Sequence, residues 1–355
     1  MAIQERDNSV TIAKALAIML MVLQHSGCPV WLNHYVRIFI MPLFFFMSGY
    51  CFKTAYLDDF KSFMKRRIKG IYWPIFKWSI VFVLLHNIFY FFNIYNGQFG
   101  AITKIYNLSD YFYKLIQNVV LIKNFEPLLG GYWFMNSLLW GSLFFFVVLK
   151  LLKNVFVGGV ILLLLTFFAA LFHLKTPYFD ISAREFMAAF FIMCGHAFAK
   201  YKIRTDISWF FLCVLGIIVG IGSWILAASM LHFNHLTLVP YVFSALCGVY
   251  MTFCIAKKIQ RCDGFFIRLI TYGGNHTLDI LTWHFLSFKI VSLLIIVLYG
   301  LEMAKLAELP VIREYAIEGW WILFTIVGTL VPLLGRYLYE NVNNYFSNQI
   351  LCKKI

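Results

Sequence analysis

The sequence predicts an all-α protein, a membrane helix bundle that crosses the bilayer about ten times, with both termini cytoplasmic. Three observations support this fold class. The chain is 62% hydrophobic and 13% charged, whereas soluble domains carry roughly 25% charged residues. Its mean hydropathy is +0.79. Its apolar residues form continuous runs, unlike the alternating pattern of a membrane β-barrel. A soluble fold of this size would lack the charge to cover its surface.

Apolar runs of roughly 20 residues are long enough to cross a bilayer as helices. The segment 185–201 is the weakest of these runs, because it is short and begins at a pair of charged residues. The first run is predicted to stay in the protein as a helix, since Lys14 lies inside it and the residues before it are mixed in charge. The predicted spans are 10–27, 36–56, 71–92, 132–152, 155–174, 185–201, 207–231, 238–256, 277–299 and 316–339.

The net charge of +14 is explained by topology. With the N-terminus inside, most of the 30 Lys and Arg residues fall in cytoplasmic segments, as the positive-inside rule requires. Basic residues there contact anionic lipid, so the excess does not indicate a nucleic-acid partner. We therefore expect one membrane domain over 1–355, with its core at 10–340.

The longest outer loop, about 93–131, contains a further predicted element. Ser109 is a candidate cap for an amphipathic helix, which lies either on the outer membrane surface or packed on the bundle. The apolar residues at helical spacing are Phe112, Leu115, Ile116, Val119 and Val120. The cysteines show no paired spacing, so neither a disulfide nor a metal site is predicted.

The first span carries two ionisable residues, Lys14 and His25, and such residues inside a bilayer are functional candidates. Their spacing places both on one helix face, roughly 16 Å apart along the axis. Lys14 lies near the cytoplasmic end and His25 near the outer end, so a long molecule such as coenzyme A would contact both. An imidazole can accept the proton of an attacking hydroxyl. The alternative is a histidine that faces water at a helix end.

Two further segments offer candidate contacts for a ligand. Arg66, Arg67 and Lys69 precede the third span, where they either hold phosphates or act as positive-inside anchors. Ser48 and Gly49 lie in the run FFFMSGY. Small residues there allow close helix packing, and the Ser48 hydroxyl is also a candidate ligand contact.

The ninth span contains Asp279 and His284, which are predicted to face different sides of the helix. Asp279 is expected to meet a basic group of another helix, with Lys14 and Lys289 as candidates, and structural pairing is as reasonable as catalysis. The remaining histidines near span ends are predicted to be interfacial: His86, His173, His196, His232 and His235.

These segments together resemble the acyltransferase 3 family of bacterial membrane acyltransferases, over about residues 10–340. The first span resembles the opening of that family in its basic residue and later histidine, at the positions of Lys14 and His25. The other similar segments are RIFIMPLFFFMSGYCFK, FMKRRIKGIYWPIF, GGYWFMNSLLW, which contains Trp133, and TLDILTWHF, which ends next to His284. The family often has Arg-x-x-Arg before the proline. Here Gly70 stands at the second position, and Arg66-x-x-Lys69 is the nearest substitute.

The resemblance implies an O-acyltransferase of the bacterial cytoplasmic membrane, with His25 catalytic and with Lys14 and the basic segment binding acyl-CoA. Acetyl-CoA is then a donor substrate, and no permanently bound cofactor is expected. Short members of the family resemble O-acetyltransferases of envelope glycans and lipid-linked sugars, which suggests the acceptor. The alternatives are a proton-coupled transporter or sugar exporter, and a scaffold subunit without chemistry. No inverted repeat supports a transporter.

Overall fold

The computed structural model describes residues 8–100, 102, 104–226 and 228–352, with side chains described up to residue 345. The described chain is helical, contains no β-strand, and has two isolated bridges. Three 3₁₀ turns lie at Thr54–Leu57, Pro127–Tyr132 and Met303–Ala307, and three π-turns lie at Ile68–Tyr72, Ile116–Val120 and Ala316–Trp320. The helices are α1 (Ser9–His25), α2 (Val30–Arg37), α3 (Ile40–Tyr50), α4 (Phe60–Arg67), α5 (Trp73–Leu84), α6 (His86–Phe91), α7 (Leu108–Leu115), α8 (Trp133–Leu152), α9 (Val155–Leu171), α10 (Ala183–Lys200), α11 (Trp209–Leu226), α12 (Leu238–Ile259), α13 (Phe265–Asn275), α14 (Thr277–Tyr299), α15 (Arg313–Tyr315) and α16 (Trp321–Cys352).

Each predicted span overlaps a helix, and the all-helical class is confirmed. In the part of the chain that the structure describes, six segments are long and apolar enough to cross a membrane. The helices α1 and α9 are apolar but shorter. The segments are Val30–Tyr50, Pro127–Leu152, Trp209–Leu226, Leu238–Ile259, Thr277–Tyr299 and Arg313–Tyr345. The count of about ten crossings and the cytoplasmic termini stay predictions.

The boundaries of the second predicted span were wrong. The helical segment begins at Val30, directly after Pro29, and ends at Tyr50, so it lies N-terminal to the predicted 36–56. Proline has no N–H and is tolerated at a helix start, where that donor would have no helical partner. The polar residues Asn33 and Arg37 lower the hydropathy of these turns, which is why the hydropathy pattern placed the start too late.

The helices α3 and α10 cross at close range through two glycines. A Cβ on Gly49 would collide with the carbonyl oxygen of Ile192, and a Cβ on Gly195 would collide with that of Phe46. Small residues allow helix backbones to approach closely in membranes. The packing role predicted for Gly49 is therefore confirmed, and the facing Gly195 completes the contact.

The amphipathic helix predicted within 93–131 is α7, and its cap is Asn107, not Ser109. The Asn107 side chain accepts from the Asp110 N–H while the Asp110 carboxylate accepts from the Asn107 N–H, which forms a capping box. The segment packs along α5. Its opposite side presents an exposed apolar stripe at every fourth residue: Leu108, Phe112, Ile116 and Val120.

The histidine of α6 is fully buried, so its interfacial assignment was wrong. His86 Nδ1 lies 2.9 Å from Oε2 of the equally buried Glu126, and His86 Nε2 lies 3.2 Å from the carbonyl oxygen of Lys104. The Tyr106 hydroxyl donates to the other Glu126 oxygen at 2.8 Å. These contacts hold the loop between α6 and the Pro127–Tyr132 turn against α6, and Glu126 directly precedes that turn. His196 is likewise buried, in the core.

Candidate active site

One face of α1 connects the two ionisable residues of that helix. Lys14, Ile18, Met21 and His25 follow one another at steps of three or four residues, which places them in a line on the helix. After His25 the chain turns at Gly27, whose φ is +79°. A Cβ there would lie 2.6 Å from the Ala316 Cβ. Glycine therefore allows the end of α1 to pack closely against the π-turn Ala316–Trp320, which directly precedes α16.

His25 contacts a second histidine, His284 of α14. His25 Nδ1 lies 3.1 Å from His284 Nε2, and the two ring planes are nearly parallel, with centroids 5.3 Å apart and an interplanar angle of 15°. His284 is completely buried, and its Nδ1 lies 3.1 and 3.0 Å from the carbonyl oxygens of Ile280 and Leu281. Phe285 packs against both imidazoles.

A small cavity, which we call the histidine cavity, lies beside the ring of His25. Its volume is about 50 Å³. Polar groups come from His25, Gln24 and Arg37, and Trp133 forms part of the wall. Gly131 lies against Leu281, since a Cβ there would be 2.9 Å from the Leu281 Cδ1.

A larger cavity of about 320 Å³, the basic cavity, begins at Lys14, Arg66 and Arg67. Arg67 Nη1 donates to the Ser48 hydroxyl at 3.3 Å, and Arg66 Nη1 donates to the Tyr56 hydroxyl at 3.0 Å. Burial, followed by the neighbouring Arg66 charge, lowers the pKa of Arg67 to about 10. The guanidinium therefore remains a cation at neutral pH.

The basic cavity and the histidine cavity share a wall. Met21, Met41, Phe134 and Leu281 line both of them, and we call these four residues the constriction. Methionine side chains are flexible and adapt to what they contact. The arrangement therefore places a group of cationic side chains and His25 at the two ends of one path, with an apolar section between them.

A family model described as an acyltransferase domain, that of the acyltransferase 3 family, matches residues 7–340. The match covers nearly the whole chain. The chain belongs to this family. Comparisons with curated proteins and with solved structures find no match. Family membership and the candidate spans together describe a membrane acyltransferase.

Most of the predicted contacts of the acyltransferase lie around the two cavities. Lys14, Ser48, Arg66 and Arg67 line the basic cavity, and His25 and Trp133 line the histidine cavity. The Trp133 ring is held from one side by Arg184, whose guanidinium lies 5.4 Å from the ring centroid.

Lys69, which was predicted to bind the donor together with Arg66 and Arg67, lies outside the basic cavity. Its side chain is exposed and is absent from the cavity wall, where Gly70 lies instead. The helix opens into a π-turn at Ile68–Tyr72. This places Gly70, not Lys69, one turn beyond Arg66. The two cavity arginines are therefore the neighbours Arg66 and Arg67.

Asp279 was also predicted to meet the wrong partner. Its carboxylate lies 3.4 Å from His276 Nδ1 one turn away, not beside Lys14 or Lys289. It lines a separate cavity of about 770 Å³ on another side of α14. Lys289 is buried and donates to the carbonyl oxygens of Leu306 and Glu308 at 2.8 and 2.7 Å. Asp279 faces this cavity while His284 contacts His25 of α1, so the two residues lie on different sides of α14, as their spacing predicted.

Gln24, Arg37 and the constriction also lie at the two cavities but were not predicted to do so. Arg37 carries a detectable signal, since it is one of the few basic residues on the predicted outer side. The constriction has no detectable sequence signal, because methionine, phenylalanine and leucine are ordinary core residues of a membrane helix.

Proposed function

We propose that the acyltransferase moves an acetyl group from coenzyme A, bound in the basic cavity, to a hydroxyl of an envelope glycan or lipid-linked sugar. The observation that carries the proposal is the shared wall between the basic cavity and the histidine cavity. Anionic groups at one end of the donor would lie near the cations, while its thioester would lie near His25.

The cations of the basic cavity suit the phosphates of coenzyme A. Lys14 has no ion-pair partner among the described residues, and neither does the guanidinium of Arg67. The Nε–H of Arg67 is buried and has no hydrogen-bond acceptor in the described part of the chain. Buried donors without a partner are costly, and a phosphate oxygen would satisfy this one.

The proposed route of the donor follows the face of α1 that carries Lys14, Ile18, Met21 and His25. Its length of roughly 16 Å suits an extended pantetheine arm passing Ile18 and Met21. The histidine cavity is much smaller than the basic cavity, with a volume of about 50 Å³ against about 320 Å³. Such a space favours a short acyl group, and for this reason we propose acetyl.

His25 then acts as the general base. Its imidazole takes the proton of the acceptor hydroxyl, whose oxygen attacks the thioester carbonyl. The C–O bond forms, the C–S bond breaks, and the coenzyme A thiolate receives the proton back from His25. Arg37 and Trp133 line the same cavity and are the proposed contacts of the acceptor.

The donor site is tested by coenzyme A binding to purified protein. Arg67→Gln removes a charged donor worth about 1.5–3 kcal/mol, so the Kd should rise by about 10-fold or more. Lys69→Gln is the matched control, because it removes an exposed charge two residues away, and its Kd should not change. If the two substitutions changed the Kd equally, Arg67 would have no specific role in donor binding, and the basic segment would act only as a membrane anchor.

The transfer step is tested by mass spectrometry of envelope glycans from cells with equal membrane levels of each variant. His25→Gln keeps hydrogen bonding but loses the base, so acetylation should disappear while coenzyme A still binds. His173→Gln, at an exposed histidine, should acetylate normally. Near-normal acetylation by His25→Gln would remove His25 from the chemistry.

A further inference from the structure

We propose that His284 is a positioning residue that holds His25 in the tautomer protonated on Nδ1, which makes His25 Nε2 the basic atom. This inference rests on the proposed function, because it assigns the proton-accepting atom of the same site. It concerns the chain of contacts that runs from the α14 backbone through His284 to His25.

The chain begins with the backbone of α14. His284 Nδ1 lies within hydrogen-bond distance of the carbonyl oxygens of Ile280 and Leu281. A carbonyl oxygen only accepts, so Nδ1 must carry the proton. In a neutral imidazole the other nitrogen is then an acceptor, which leaves a lone pair on His284 Nε2.

That lone pair faces His25 at 3.1 Å. His25 Nδ1 must therefore donate to it, and His25 Nε2 is left without a proton. The reverse arrangement needs protons on both nitrogens of His284, which would place a cation in a fully buried ring. Burying an unpaired charge is far more costly than burying a neutral ring. His25 Nε2 has no hydrogen-bond partner among the described residues, so it is available to an acceptor hydroxyl.

The surroundings of His284 prevent the ring from turning away. Phe285 and Phe288 pack against it, with centroids 4.0 and 5.8 Å from that of the imidazole. A Cβ on Gly131 would lie 3.8 Å from His284 Cε1, so the Pro127–Tyr132 turn covers a further side. The two imidazoles are nearly parallel, which fixes the direction of the His25 ring as well as its proton.

The same bond serves both protonation states of His25. When His25 takes a proton on Nε2, its Nδ1–H continues to donate to His284, and the new positive charge faces a nitrogen lone pair. A catalytic triad uses a carboxylate for this purpose, but a carboxylate here would be a second charge buried in an apolar core. Both nitrogens of His284 are occupied, so His284 itself neither takes the acceptor proton nor carries the acyl group.

The test combines kinetics with the tautomer of His25. We expect His284→Leu to lower kcat by about 10²-fold or more, the usual contribution of acid–base catalysis, with the KM for acetyl-CoA unchanged. His284→Gln should recover much of this loss, since its amide oxygen accepts from His25 and its NH₂ donates to the carbonyls. His173→Gln is the control.

Nitrogen-15 NMR of histidine-labelled protein reads the tautomer directly, with the His25 signals assigned by their loss in His25→Gln. Wild-type protein and His284→Gln should show His25 protonated on Nδ1 alone, and His284→Leu should show a mixture of tautomers. Unchanged kcat in His284→Leu, or protonation of His25 on Nε2 in wild type or in folded His284→Gln, would overturn the proposal. A normal rate in His25→Gln would instead overturn the proposed function, while the NMR result would still show which nitrogen of His25 carries the proton.

Discussion

Replacing Glu126 with glutamine tests whether the buried cluster of the long loop holds the wall of the active site. Both carboxylate oxygens are engaged, one with His86 and the other with the Tyr106 hydroxyl. A glutamine offers one oxygen and one NH₂ group. The NH₂ group would face one of the two donors, so that donor would be buried without an acceptor, and the negative charge beside His86 would be lost.

The size of the effect follows from these contacts. Glu126→Gln disturbs both hydrogen bonds of the carboxylate, each worth about 1.5–3 kcal/mol. Tyr106→Phe removes a single hydrogen bond to the carboxylate and should cost about 1.5–3 kcal/mol. Glu126→Gln should therefore destabilise the protein more than Tyr106→Phe. The double variant should cost less than the sum of the two, because phenylalanine removes the hydroxyl that the amide would oppose.

The assay is thermal unfolding of detergent-purified protein, followed by the loss of the monodisperse fraction. Glu302→Gln is the control, because Glu302 is an exposed carboxylate whose Oε2 lies 3.4 Å from Gln98 Nε2. An equal Tm for Glu126→Gln and Glu302→Gln would refute a stabilising role for this buried hydrogen-bonded cluster. Since Glu126 directly precedes the turn that carries Gly131, Glu126→Gln should also lower the rate of acyl transfer.

Three further outcomes are expected. Gly195→Ala should sharply reduce the yield of folded protein, because the new Cβ would collide with a facing carbonyl of α3. Gly335→Ala is the control and should be tolerated, because the space around Gly335 is open. Equal yields of the two variants would refute this packing. Met41→Ala should widen the constriction and raise the rate with propionyl- or butyryl-CoA relative to acetyl-CoA, and an unchanged donor preference would argue against that route. Burial, followed by the Glu126 charge, raises the pKa of Tyr106, so its contribution to stability is present below pH about 10 and is lost as pH rises further. Alkaline unfolding should therefore be shallower in Tyr106→Phe, and identical pH curves would contradict this.

The sequence predicted the helical class and the general positions of the helices, because long apolar runs and helical spacing are local properties of a chain. It also predicted that Lys14 and His25 share a face, since both lie on one helix and its periodicity fixes their relation. The start of α2 was missed for a local reason. Asn33 and Arg37 hid a helix that Pro29 begins.

The partners of the ionisable residues could not be predicted in the same way. Helical spacing shows which face of a helix a residue occupies, but not which other helix packs against that face. It indicated correctly that Asp279 and His284 face different sides of α14, but it did not show that Asp279 would meet His276. His86 looked interfacial because its carboxylate partner lies far along the chain.

The sequence by itself determined that this chain is a helical membrane protein of the acyltransferase 3 family, with Lys14 and His25 aligned along its first helix. These properties depend on composition, local periodicity and short motifs. Only the tertiary structure decided that His284 contacts His25, that Lys69 lies outside the basic cavity, and that four apolar residues separate the two cavities. Each of these depends on how helices far apart in sequence pack together, and packing depends on the whole set of side-chain shapes.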